Sequence, residues 1–340
     1  MNIENKGTPR ISIIIPVRNE ERFLAECLES ILANDVPKES YEILVADGLS
    51  EDGTREVAES FRKIHPALKV IENPERIAST ALNRGLREAC GDIVIRIDGH
   101  GQVAPDFIRK SVETLERVPE AGCAGGNIEP RGKSFMGNVI ALAQASFFGG
   151  GGGSWYRGRK AGAVDTVFNA AYRRSVFERV GFFDETLVRD QDDEFNYRLR
   201  QAGYKIYFNP EIRGHYYSRE SLGKLAKQYL QYGFWKVKVL KKHRQMMQVR
   251  QFVPPLFISA FVFFAVGGLV FEPARVAFWF LMGAYLICSF LTSLSLGFRK
   301  GWLHAYPLPL AFAAMHFGYG IGFWAGVLYF GLIHKEPPRA

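Results

Sequence analysis

The chain has 340 residues, 47 % of them hydrophobic and 23 % charged, with a formal net charge of +8. At roughly 100 to 200 residues per domain, that length excludes a single small module and predicts about two structural units. The mean hydropathy of −0.06 would suit a soluble protein, but it averages over a break near residue 250, beyond which charged residues nearly vanish.

The first element is a β-branched run over residues 11–17, ISIIIPV, followed by a polar turn and then Phe23, Leu24, Cys27, Leu28, Ile31 and Leu32 at helical spacing. The rhythm recurs, with strands predicted over 41–46, 67–71 and 92–97 and helices over 54–63, 77–89 and 105–117. Near-continuous apolar strands alternating with helices predict an α/β domain with a mostly parallel sheet covered on both faces. Ligands in that architecture bind beyond the carboxyl ends of the strands. The residues found there are polar: Arg18-Asn19-Glu20, Asp47-Gly48 and Asp98-Gly99-His100. Any one of them, taken alone, is equally well ordinary turn chemistry.

Gly149 to Gly153, followed by Ser154, predicts a flexible loop suited to a lid, and it lacks the lysine of a phosphate-binding P-loop. Further on, Leu222, Leu225, Tyr229, Tyr232, Trp235 and Val239 recur at helical spacing with lysines among them, an amphipathic helix suited to a membrane surface. Three stretches without Asp, Glu, Lys or Arg follow: 19 residues from Val253, 23 from Val276 and 31 from Leu303. About 20 apolar residues cross a hydrocarbon core of roughly 30 Å. The last stretch would reach about 46 Å as one helix, so Pro307 and Pro309 are expected to break it. The expected organisation is a catalytic domain over 1–215, basic interface helices over 216–250, and an all-α transmembrane domain over 251–340 with spans near 253–271, 276–298 and 310–333. Gly318, Gly322 and Gly326, four apart, permit close helix packing, within the bundle or between copies in a homo-oligomer. His316 on the same span is either functional or a partner in an interhelical hydrogen bond.

Residues 1–215 carry 29 basic and 32 acidic groups, 216–250 carry 9 and 1, and 251–340 carry 5 and 2, so the basic excess is a neck beside the first span. Such a neck favours the cytoplasmic side and anionic headgroups, and the adjacent spans argue against nucleic acid as its partner. Residues 1–10 contain no apolar core of a signal peptide. The head is therefore expected at the cytoplasmic face of the plasma (inner) membrane. With the neck inside, the 272–275 turn falls outside, Arg299-Lys300 inside and the C-terminus outside. Cys27, Cys90, Cys123 and Cys288 form no CxxC pair, which predicts a reduced compartment and no zinc site.

Asp98 and His100 lie two apart at a strand end, so an extended backbone places both on one side. A carboxylate and an imidazole there suit Mn²⁺ or Mg²⁺, with His215 either a third ligand or a structural histidine. Asp190, Asp192, Asp193 and Glu194 open a helix. The helix dipole favours carboxylates there, but four in five positions exceed what capping requires, and one could act as a general base toward a hydroxyl.

Five stretches in order resemble the inverting glycosyltransferases of family 2 with a GT-A fold: 13–20 (IIIPVRNE), 45–54 (VADGLSEDGT), Asn83-Arg84-Gly85, 96–100 (RIDGH), and Gln191-Asp192 leading to 198–204 (RLRQAGY). The resemblance covers about residues 10–215, and with the neck and spans the whole chain is similar to membrane glucosyltransferases of succinoglycan-type exopolysaccharide assembly. It implies that Pro16, Val17 and Glu20 line the nucleotide pocket, that Asp47 binds the uracil edge, and that Arg84 lies near the diphosphate. It makes Asp98 with His100 the metal-binding DxD motif, departing from it at His100, and Asp192 the base, with Gln191 in place of the family's glutamate. The acceptor would meet Asp193 and, on the neck helix, Gln228, Gln231, Tyr232 and Trp235. Residues 228–232 (QYLQY) lack the Arg and Trp of the Gln-x-x-Arg-Trp motif of processive synthases, which argues against polymerisation. The implied activity is metal-dependent transfer of one sugar, glucose, from a UDP-sugar to a lipid-linked saccharide. The rivals are transfer to polyprenyl phosphate, processive synthesis with export, and a catalytically inactive sugar-nucleotide sensor or scaffold.

Overall fold

The computed structural model describes residues 10–150, 160–243 and 248–332. These fall into two compact units, one formed by 10–129 with 160–216 and the other by 130–150 with 217–332. Residues 151–159, which hold part of the predicted lid loop, lie outside the described residues.

The first unit opens with β1 (Ile11–Val17), α1 (Glu21–Leu32), β2 (Tyr41–Asp47), α2 (Thr54–Arg62), β3 (Leu68–Glu72), α3 (Ala78–Glu88) and β4 (Ile93–Arg96). β3, β2, β1 and β4 lie side by side, all parallel. The elements that follow are β5 (Gly101–Val103), α4 (Phe107–Arg117), β6 (Ala121–Arg131), then β7 (Gly162–Val164), β8 (Ala171–Arg173), α7 (Arg174–Val180), α8 (Gln191–Gln201) and β9 (Lys205–Tyr217). They extend the sheet to nine strands in the order β3-β2-β1-β4-β8-β6-β9-β5, with β7 on β9. β8 joins β4 antiparallel, and β5 and β7 join β9 antiparallel, so the parallel half gives way to a mixed half.

Period-two geometry with both faces buried explains why β1 is apolar at every position but Ser12, whose hydroxyl donates to Glu42 at 2.7 Å. Ile13 and Ile15 point into a core with Leu24, Leu28 and Ile31 of α1 and Phe107, Ile108 and Leu115 of α4. Ile14 points the other way, against Leu82 and Leu86 of α3 and Phe195 and Leu199 of α8. Each fully buried aliphatic side chain contributes about 1.5–3 kcal/mol, which fixes the register on both faces. α3 approaches closely because Gly85 has no Cβ; one built there would lie 2.5 Å from Ile14 Cγ2.

The second unit contains α5 (Phe135–Ala145), α6 (Phe147–Gly150), α9 (Leu222–Lys242), α10 (Val249–Gly267), α11 (Glu272–Lys300), α12 (Trp302–Ala305) and α13 (Leu308–Leu332). Among the described residues, three apolar helices are long enough to cross a membrane: α10, α11 and the α12–α13 stretch. Residues 130–150, expected in the catalytic domain, instead group with these helices. The cause is α5, whose Val139, Ile140 and Ala143 are buried with Leu225 of α9 and Leu308, Ala311, Phe312 and Met315 of α13. The glycine stripe packs on α9: Gly318, Gly322 and Gly326 lie against its backbone at Ala226, Leu230 and Phe234. His316 bonds on both sides, Nε2 to the Phe148 carbonyl at 2.8 Å and Nδ1 to Tyr285 Oη at 3.1 Å, so it ties α13 to α11 and α6.

Candidate active site

The polar strand ends of the parallel half converge. Val17 and Asp47 are register partners at the ends of β1 and β2, and Pro16 lies opposite Ala46. Asp47 is buried, and its Oδ1 accepts from the Ser50 hydroxyl at 2.5 Å and the Ser50 amide at 3.2 Å. Glu20, just before α1, meets His100 Nδ1 at 3.0 Å. Gly99 lets this happen, because a Cβ there would stand 2.7 Å from Val17 Cγ1. Arg84 on α3 is held by Glu75 through bonds of 2.9 and 3.1 Å.

The centre of the site is Arg96, the one charged residue of β4 and the residue that sequence reasoning missed. Its guanidinium lies 3.0 Å from Asp98 Oδ1 and 3.4 Å from Asp192 Oδ2. Two positions separate Arg96 from Asp98, and in extended backbone that spacing turns both to one side. A lone charge in an otherwise apolar strand, two before a motif aspartate, was the available signal. The partner 96 residues away in sequence, Asp192, was not readable.

Burial opposes the charge on Asp98, but Arg96 and then His100 outweigh it and hold its carboxyl below the usual range. Burial raises Asp192 instead; Arg96 pulls it back only in part, and Asp193 pushes it further up. With 31 % of the Asp192 side chain open, solvent moderates that rise. The two carboxylates are thus separated in character by environment, one firmly ionised and one nearer to accepting a proton.

The other acids of the cluster have structural tasks. Glu194 is buried and pairs with Arg198 at 2.8 Å, and Arg198 also donates to the Val180 and Phe182 carbonyls. The Asp193 amide donates to Asp192 Oδ1 at 2.9 Å, which fixes the Asp192 carboxylate at the helix start. Among the described residues, five non-glycine residues have left-handed φ: Asn19, Leu49, Arg76, Asn169 and Asp190. The first three sit in the loops after β1, β2 and β3, Asn169 accepts from the Asp98 amide at 3.3 Å, and Asp190 precedes Asp192. Backbone strain of about 1–3 kcal/mol per such residue persists where surrounding structure enforces it, typically at functional sites.

The metal expectation needs correction in one respect. Among the described residues no group of three or more His, Cys, Asp or Glu side chains is gathered for a metal, so Asp98, His100 and His215 are not one ligand set. His215 lies on β9 opposite Gln102, while Asp98 turns to Arg96 and His100 to Glu20. Asp98 and His100 still offer an oxygen and a nitrogen donor of the kind Mn²⁺ or Mg²⁺ accepts, with coordination left for other oxygens. The residues expected at the acceptor on α9 belong to the second unit, where Gln228 Nε2 donates to Tyr232 Oη at 2.8 Å and Trp235 is buried.

Residues 12–181 match the family described as Glycosyl transferase family 2. A succinoglycan biosynthesis protein, ExoA of Rhizobium meliloti (strain 1021), is 32 % identical over 94 % of this chain and 95 % of its own length. The chain belongs to glycosyl transferase family 2. A second relative of this glycosyltransferase, from Methanococcus voltae, is 33 % identical over 68 % of the chain and 74 % of its own length. That relative is named a dolichyl N-acetyl-alpha-D-glucosaminyl phosphate 3-beta-D-2,3-diacetamido-2,3-dideoxy-beta-D-glucuronosyltransferase. Among solved structures, the mannosyltransferase PcManGT from Pyrobaculum calidifontis, in complex with GDP-Man and Mn²⁺, aligns with a TM-score of 0.61. It shares 20 % identity and is matched over 92 % of this chain and 88 % of that one. That likeness places the first unit in the GT-A fold.

Proposed function

We propose that this glycosyltransferase moves a single sugar, glucose, from UDP-glucose to a hydroxyl of a polyprenyl-diphosphate-linked saccharide at the cytoplasmic membrane face, with inversion. The observation that carries the reading is the Arg96 clasp, which holds a partly open carboxylate of raised proton affinity beside the Asp98 position. In this reading Asp192 takes the proton of the acceptor hydroxyl as the glycosidic bond forms. Asp193 fixes the Asp192 carboxylate through its amide, and Arg96 keeps that carboxylate ionised between turnovers. Val17, Glu20 and Asp47 hold the nucleoside, and Arg84 leaves Glu75 to meet the diphosphate. Asp98 and His100 would hold Mn²⁺ or Mg²⁺, which when bound neutralises charge on the departing diphosphate. The two relatives, one named for a lipid-linked saccharide substrate and one for exopolysaccharide synthesis, support an acceptor of that class.

The test is UDP release by the protein in lipid nanodiscs, with a panel of UDP-sugars and with glycosylated or bare polyprenyl phosphates. Release that requires both UDP-glucose and a glycosylated lipid is expected. In Asp192→Asn, turnover should fall by about 10²–10⁴, the usual contribution of a general base, while UDP binding persists. Full turnover of the variant on bare polyprenyl phosphate, an acceptor that needs no base, would overturn the assignment.

A further inference from the structure

Length and composition alone make α10, α11 and α13 equal candidates to cross a membrane. Their directions are not equivalent. α10 and α11 form an antiparallel hairpin: Phe257 stacks on Tyr285 at 5.0 Å, Phe261 meets Phe278 at 5.2 Å, and Gly267 faces Ala274 at the turn. Two spans return the chain to the side it left. α11 therefore ends on the side where α10 begins, and Gly297 against Trp302 and Ala305 shows that the chain turns there at once into α12 and α13.

α13 then runs parallel to α9. Gly318 lies on Ala226, Gly322 on Leu230 and Gly326 on Phe234, a constant separation of 92 residues. Near the end of the pair Lys241 Nζ donates to the Phe330 carbonyl. The end of α13 is thus beside the end of α9, and α9 leads directly into α10. Both ends of α13 lie on the side where the hairpin begins.

A crossing α13 would have to carry α9 with it. Lys236, Lys238, Lys241 and Lys242 would then pass through the core or beyond it, at about 2.5–3.5 kcal/mol for each charge held near the centre. The chain from Lys242 to Val249 would have to return, yet seven steps of extended backbone reach only about 25 Å against roughly 30 Å of hydrocarbon. That strand would also carry unpaired amides through lipid. α13 touches the hairpin at Pro254, Pro255 and Ile258, in the half of α10 next to its start, and through Phe317 at Phe257, Phe261 and Tyr285, toward the middle of the two spans. Leu310, Ile321 and Leu328 are exposed and recur on one face of the helix, separate from the glycine seam.

We propose that only the α10–α11 hairpin crosses the membrane, and that α13 lies in the plane of the leaflet on the side where the hairpin begins, with its Leu310–Leu328 face against acyl chains. The inference rests on the hairpin being transmembrane and is independent of the reaction assigned to the first unit.

The test places a nitroxide at Leu310→Cys, Ile321→Cys or Leu328→Cys, in full-length protein with Cys90→Ser and Cys288→Ser, in nanodiscs of phosphatidylcholine with phosphatidylglycerol. Depth is read from the relaxation effects of oxygen and a nickel chelate, with Phe263→Cys and Phe280→Cys marking the hairpin. Similar depths at the three α13 sites, against deep labels in the hairpin, are expected. A profile with Ile321 deepest and Leu310 and Leu328 near opposite surfaces would overturn the proposal, as would shallow labels throughout the hairpin. A second readout is a C-terminal epitope in oriented vesicles. Protease should reach it from the same side as the head, and exclusive cleavage from the other side would also overturn the proposal.

Discussion

The two units hold their key elements together by opposite means. In the first, one guanidinium spans two carboxylates, and strained loops keep polar groups at the strand ends. In the second, α9 and α13 meet through glycines whose missing side chains let backbone touch backbone, with a Cβ at Gly322 falling 2.0 Å from the Leu230 carbonyl and one at Gly233 equally close to that of Tyr319. Asp192, the most open member of the clasp at 31 % exposure, can be altered with little loss of fold. A glycine seam cannot, because close-packed backbone has no room to give.

The sharpest way to break this contrast after Asp192→Asn is Gly322→Leu. The side chain would force α9 and α13 apart at a cost of roughly 1–3 kcal/mol or more, read as a clear fall in the thermal midpoint in detergent. A Gly322→Leu protein as stable as the parent would show that the seam tolerates separation. Arg96→Met addresses the other side of the comparison. Asp192 works as a base when ionised, so activity is lost as pH falls through its folded pKa, which burial already sets above the usual 3.8. Arg96 opposes that rise; without it the acid limb of kcat/KM should move to still higher pH, and the thermal midpoint should fall because Asp98 is left buried without its partner. An unmoved limb would separate Arg96 from Asp192. The smallest effect belongs to Glu75→Gln. The Arg84–Glu75 pair is about one-third exposed, a setting in which ion pairs contribute about 1 kcal/mol or less. Releasing Arg84 should tighten UDP-sugar binding no more than about fivefold, measured by calorimetry; weaker binding would show that Glu75 orients Arg84 for the donor.

Much of the first unit is legible in the sequence. The alternation of strand and helix from Ile11 to Arg117 appears with boundaries within a few residues, since each element announces itself through contacts three or four positions apart or through alternation. The strand-end residues Glu20, Asp47 and Asp98 were legible for the same reason. The place of His215 was not, because it comes from a strand whose pairing partner, Gln102, no local pattern reveals. Nor was the membership of α5: its apolar sequence reads as a helix, but the residues that bury it lie some 85 to 175 positions further along the chain.

The sequence by itself determined the α/β rhythm, the family, the Asp98-Gly99-His100 and Gln191-Asp192 motifs, and the presence of three apolar stretches, because all of these are properties of neighbours along the chain. Tertiary structure alone decided that Arg96 joins Asp98 to Asp192, that residues 130–150 pack with the C-terminal helices, and that the glycine stripe of α13 faces α9. Each is a contact between segments far apart in sequence, formed because burying an apolar face or pairing a buried charge needs whatever partner the fold brings near.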